Sequence, residues 1–162
     1  MFSLPKGKIT EKNAELLTID FIKFLKENQK RAFTGYIALC IQGANGIEEG
    51  TILFDEGKIV GCFYEYYSFD KSFQGNEAFQ RILNASAAKQ GVFDVISLKP
   101  EQVRLVLAVN EGIVFVPAPG QLESVSVKEF SPLFEQEVVQ SQSEQTRTEF
   151  LKKFKLQDLG KT

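Results

Sequence analysis

Residues 50–64 read GTILFDEGKIVGCFY. Two apolar runs flank a charged turn that carries a glycine, which is the pattern of a β-hairpin. Asp55-Glu56-Gly57-Lys58 fits a type I turn with Gly57 left-handed, the usual G1-bulge connection. Upstream, GYIALCIQ (35–42) alternates Ile37, Leu39 and Ile41 with Tyr36, Ala38 and Cys40. Both sets are rather apolar, so this strand is expected to be covered on both sides or paired with a subunit. GANGIEEG (43–50) is read as a loop from its glycines and Asn45. The economical arrangement is a three-stranded antiparallel meander. Cys40 and Cys62 would then sit on strands that both flank TILF, roughly 10 Å apart and beyond disulfide reach.

The elements around the meander follow from helical spacing. Leu17, Phe21, Phe24 and Leu25 share a helical face, with Thr18 expected as N-cap, Asp20 in the first turn and lysines in the last. A second helix is predicted over NEAFQRILNASAAKQ, capped by Asn76, with Phe79, Ile82 and Leu83 inward and Gly91 at its C-terminal end. VFDVISL reads as a fourth strand. KPEQVRLVLAVNEGIVF carries both periodicities; Pro100 and Glu101 favour a helix start. PAPG (117–120) is a break, and SPLFEQEVVQ opens a further helix with Ser131 as cap and Pro132 at its first position. SQSEQTRT lacks apolar periodicity and is expected to be a mobile spacer, before Phe150, Leu151, Phe154 and Leu159 resume an amphipathic pattern. The expected fold is α+β: a small antiparallel sheet of about four strands around a central hairpin, packed with helices. Residues 1–116 form that domain, and residues 117–162 a linker and helical C-terminal extension, partly mobile.

Composition narrows the function. A chain of 162 residues with 15 Phe and 43% hydrophobic content can bury a core without disulfides or metal. It contains no histidine, which removes the commonest general base, the commonest metal ligand and every Ser/His or Cys/His pair. The two cysteines lie in apolar runs and read as reduced core thiols. Met1 to Lys8 lacks the apolar core of a signal peptide, and Val103 to Val116 is too short and too polar to span a bilayer. A soluble cytoplasmic chain is therefore expected.

From Asp20 to Leu98 the chain runs helix, TGYIAL, loop, GTILFDEGKIVGCFY, linker, GNEAFQRIL and GVFDVISL. The pattern rests on Thr34-Gly35, Gly50, Phe54, Gly57, Ile59-Val60, Gly75, Glu77-Ala78, Leu83, Gly91 and Phe93. It resembles the PATAN-type (PatA N-terminal-like) domain of prokaryotic signalling proteins over about half the chain. An uncharacterised archaeal family that opens on an LPKG-like start and continues into the same module is more similar still. The resemblance implies an interaction module beside response-regulator or small-GTPase machinery, and it carries no catalytic residue. The linker EYYSFDKSFQ and the roughly 60 residues after the last shared strand depart from that layout.

The candidate residues suit three chemistries to different degrees. Glu48-Glu49, Asp55-Glu56 and Glu65 could pair for acid–base catalysis, but carboxylates in such stretches ordinarily solvate turns. The terminal GKT (160–162) is not a P-loop, because Lys155 stands where the motif needs glycine. Phe63, Tyr64, Tyr66, Tyr67, Phe69 and Phe73 could stack bases, but residues 43–80 carry seven acids against two lysines and would repel a phosphate backbone. No spacing of ligand types suggests a metal, and no cofactor is expected. Protein binding remains, with Tyr64, Tyr66, Tyr67, Phe69 and Phe73 as candidate contacts and another protein or a second copy of the chain as partner. Tyr66 and Tyr67 are adjacent and must point differently in any regular element. The alternative is a small-molecule or nucleotide sensor with residues 63–73 as its lid.

Overall fold

The computed structural model describes residues 2–154. The chain forms two compact units, Met1–Phe130 and Ser131–Thr162. In the first, strands β1 (Lys8–Glu15), β2 (Gly35–Gln42), β3 (Ile47–Asp55), β4 (Lys58–Tyr66), β5 (Lys71–Gln74) and β6 (Gly91–Ser97) make one sheet. Its order is β1-β6-β2-β3-β4-β5, with every neighbouring pair antiparallel. Helices α1 (Phe21–Lys30), α2 (Gly75–Ala85) and α3 (Pro100–Val109) complete this unit; α4 (Leu133–Lys153) is the helix of the second.

The α+β class and the β2-β3-β4 meander are as expected, but the sheet has six strands rather than about four. β1 was hidden because KITEKNAE is an edge strand exposed along nearly all its length, so no apolar alternation marks it. β5 lies in the presumed linker: Tyr64 pairs with Phe73 and Tyr66 with Lys71, joined by a 3-10 turn over Tyr67–Phe69. β3 also starts earlier than expected, taking Glu48 and Glu49 out of the loop and into the ladder.

Period-two alternation splits the sheet into two faces. Across one run Phe93, Leu39, Gly50, Tyr64 and Phe73, residue opposite residue over five strands. This face is roofed by α1 and α2. Phe21 and Phe24 stand against Phe93 at ring-centroid distances of 6.1 and 5.2 Å. Phe79, Ile82 and Leu83 are buried from α2, as their spacing predicts. Gly50 makes the close approach of α2 possible, since a Cβ there would lie 2.6 Å from Ile82. On the opposite face α3 covers one end only, where Val103 and Val106 join Leu53, Phe63, Ile96, Leu98 and Ile113. Burying each such side chain contributes about 1.5–3 kcal/mol.

Several local expectations are corrected. The hairpin has a two-residue turn in which Glu56 (φ 50°) and Gly57 (φ 83°) are both left-handed, the geometry of a type I′ turn, with Asp55 paired to Lys58. The irregularity in register sits higher: Leu53 pairs with Gly61 and Phe54 with Ile59, so Val60 of β4 is the extra residue. Asp20, not Thr18, caps α1, accepting from the Lys23 amide at 3.1 Å, because Thr18 closes a preceding 3-10 turn. α2 begins at Gly75, ahead of Asn76, and Gly91 opens β6 rather than closing the helix. Residues 141–148 lie inside α4, whose Gln, Glu and Arg side chains are good helix formers despite lacking an apolar stripe. Leu159 and the GKT end fall outside the described residues. Cys40 and Cys62 are both free, on opposite faces of the sheet.

Gly57 carries a specific load. Its amide donates to the Phe33 carbonyl at 2.8 Å, and a Cβ would meet the Gln29 carbonyl and Ala32. Gly57→Val therefore adds a clash with backbone to the cost of a β-branched residue at positive φ. The expected loss is about 1–3 kcal/mol in urea denaturation, and a wild-type midpoint would refute the turn geometry.

Candidate functional site

The face that α3 shares is open over its other half. There the register aligns Val92, Cys40, Glu49, Glu65 and Ser72 in one row across β6, β2, β3, β4 and β5. The next row, toward α3, is Asp94, Ala38, Thr51, Phe63 and Gln74. Small side chains (Ala38, Cys40 and Thr51) form the floor, and carboxylates stand around it. A shallow cavity of about 260 Å³ lies over Ala38, Cys40 and Thr51, bordered by Asn13, Glu49 and Asp94. A second, of about 210 Å³, continues past β4, bordered by Glu65, Asp70, Ser72, Gln74, Asn110 and Phe2.

Electrostatics set this surface apart. Glu49 and Glu65 are directly opposite each other on neighbouring strands, an arrangement of like charges that costs stability. Among the described residues no salt bridge reaches Glu49, Glu65 or Asp94. Each of two carboxylates has a neutral donor instead: the Tyr67 hydroxyl to Glu49 at 2.7 Å, and the Asn13 amide to Asp94 at 2.7 Å. The bond to Glu49, and to a lesser degree burial, pushes the Tyr67 hydroxyl above its ordinary pKa, so it stays a donor. Partial burial, then the charges of Glu49 and Asp94, raise the Cys40 thiol. Cys40 is thus a neutral floor residue, lacking the electropositive surroundings of a nucleophile. Cys62, wholly buried on the other face, is raised further by desolvation alone.

Of the five aromatic residues expected to bind, the structure leaves one on this surface. Tyr67 is 50% exposed at its rim. Tyr64 and Tyr66 are buried on the covered face, where Tyr64 donates to the Glu48 carboxylate and Tyr66 packs on Tyr64, Phe69 and Phe73. Phe69 and Phe73 are half-buried, and the Arg81 guanidinium lies 3.5 Å from the centre of the Phe73 ring. Tyr64 and Tyr66 therefore present almost no surface to a partner. Sequence reasoning missed Glu49, Glu65, Asp94 and Thr51, treating the glutamates as turn solvation. The usable signal was parity: each falls on the outward phase of its strand once the pairing is known.

Of the carboxylates weighed for acid–base chemistry, the structure brings Glu49 and Glu65 together and separates the others. Glu48 and Glu49 point to opposite faces, and Asp55 lies 3.8 Å from Arg104. No group of three or more metal-ligating side chains occurs among the described residues.

Residues 2–110 match the model of a family described as uncharacterized protein conserved in archaea (DUF2226). The chain belongs to that family. The match takes in the whole sheet, α1 to α3 and the open face, and stops before α4. No curated protein and no solved structure matches the chain. No helix among the described residues is long and apolar enough to cross a membrane.

The thiols provide a check on this surface. In the native protein Cys40 should react with iodoacetamide and Cys62 only after unfolding. Because the Glu49 charge raises the Cys40 thiol, Glu49→Gln should lower its pKa, increase the thiolate at fixed pH and quicken alkylation at pH 8. Peptide mass spectrometry reads both rates; an unchanged Cys40 rate would show that Glu49 does not face it.

Proposed function

We propose that this domain is a non-catalytic protein-binding module of a cytoplasmic regulatory or signalling complex. The observation that carries the reading is Tyr67, held by Glu49 at the rim of a sheet face that α3 leaves uncovered. An aromatic ring with a polar tip, fixed before binding, loses little rotamer freedom on contact and is the side chain enriched at interface hot spots. The likeness of residues 20–98 to PATAN-type domains supports the same reading and suggests a partner related to response regulators or small GTPases.

The sensor alternative needs ligand space beside residues 63–73, and the cavity of about 210 Å³ past β4 is the space available to it on the open face. On the covered face Tyr66 fills the space with aromatic packing, and the segment is tied into the sheet by paired strands. A thermal-shift screen separates the two readings, since a sensor gains stability with one metabolite.

Capture of partners from an archaeal lysate on the intact chain tests the proposal through two variants. Tyr67→Ala should weaken capture by about 1–3 kcal/mol with the melting temperature held. Tyr66→Ala should do the reverse, losing about 3 kcal/mol of stability to the cavity it leaves. If Tyr67→Ala captures every partner as well as wild type, the interface is elsewhere.

A further inference from the structure

We propose that the open half-face receives a basic amphipathic helix from a partner protein. This deepens the protein-binding reading and rests on it. The shape of the vacancy comes first. Five strands at about 4.8 Å spacing make the row from Val92 to Ser72 roughly 19 Å across; Phe2, stacked on Phe63, takes up part of its β4 side, and the rest has room for a helix about 10–12 Å in diameter. The floor of Ala38, Cys40 and Thr51 holds no bulky side chain that would keep such a helix away.

A helix fits this face better than an extended segment does. The face offers side chains and no backbone ladder, so a strand laid on it would leave its own N–H and C=O groups unpaired; strands dock at edges. A helix satisfies its backbone internally, as α1, α2 and α3 already do against the same sheet.

Charge then selects the occupant. Among the described residues no salt bridge neutralises Glu49, Glu65 or Asp94 around the floor, and Asp70 extends the acidic rim past β4. The Glu49–Glu65 pair is unfavourable alone and becomes favourable when a lysine or arginine comes between them. The chain's own helices do not meet this specification. The described α4 carries four acids against three bases. α1 has Lys23, Lys26 and Lys30, but Phe21 and Leu25 are buried and Phe24 packs on Phe93, so a second copy would bring lysines without a free apolar face.

The test uses the intact chain and a synthetic helix of about 14 residues, a narrow stripe of leucines flanked on both sides by lysines, with a glutamate-for-lysine twin as control. The basic peptide should bind, slow alkylation of Cys40 and weaken as salt rises, while the acidic twin should do none of these. Glu65→Lys is the deciding variant, because it converts a like-charge pair into an opposite one. It should leave the melting temperature unchanged or higher, yet cut affinity for the basic peptide at least about tenfold. The proposal is overturned if the basic peptide leaves Cys40 unprotected, or if Glu65→Lys binds it as tightly as wild type. It is also overturned if sedimentation shows a dimer that Glu65→Lys dissociates, since a second copy then owns the face. Lysate capture that is sensitive to Tyr67→Ala alongside an unprotected Cys40 would sink this proposal and leave the protein-binding reading standing.

Discussion

The two-residue turn at Glu56-Gly57 sets the register of β3 against β4, and register sets which side chains reach each face. Side chains alternate with period two, so a slip of one residue would carry Ile52 outward and Glu49 into the space under α2. The turn is anchored outside the hairpin: the Gly57 amide bonds the Phe33 carbonyl and the Glu56 amide bonds the Thr34 hydroxyl at 2.9 Å. The connection between α1 and β2 thus holds the hairpin in phase with β2. Through that phase the covered row and the acidic row become two sides of one constraint.

The neighbouring glutamates of β3 show how much the phase decides. Glu48 turns inward and is 2% exposed, receiving the Tyr64 hydroxyl beneath α2. Arg81, itself 6% exposed, stacks on Phe73 close by and opposes the rise in Tyr64's pKa that burial and Glu48 cause. A carboxylate is costly to bury without such company, so this polar corner helps define one packing of α2 on the sheet. Glu49, one residue on, faces water and meets Glu65. The same residue type in consecutive positions therefore serves order on one face and leaves charge on the other.

What the sequence disclosed, and what it hid, follows from burial. β2, β3, β4 and β6 were legible because each buries an apolar phase, and α1 and α2 because their apolar residues recur at helical spacing; α3 carries both periodicities, and only Pro100 and Glu101 at its start favoured a helix. β1 and β5 were not, since edge strands answer to hydrogen bonding more than to burial and need no apolar alternation. The aromatic run at 63–73 misled for a related reason. Composition says that aromatics are concentrated there, but only the partner strand says which side they face, and Tyr64 and Tyr66 share the inward phase. Glu49 and Glu65 lie 16 positions apart in sequence, so nothing local could reveal that they stand opposite one another.

An unrelieved like-charge pair on a paired strand costs roughly 0.2–1 kcal/mol, small against total stability but removable by a single substitution. Glu65 could be lysine here without disturbing the ladder, since its backbone pairing with Glu49 and Ser72 does not depend on the side chain. Stability by itself therefore gives no reason for the pair. Nor does solubility require carboxylates in direct opposition, because the same net charge can be spread over loops. This local repulsion surrounds a small-residue floor inside the part of the chain that matches its family, and the proposed basic helix would relieve it. The neutral donors at its rim, Tyr67 and the Asn13 amide, orient the carboxylates without cancelling their charge, so the full attraction is kept for whatever arrives.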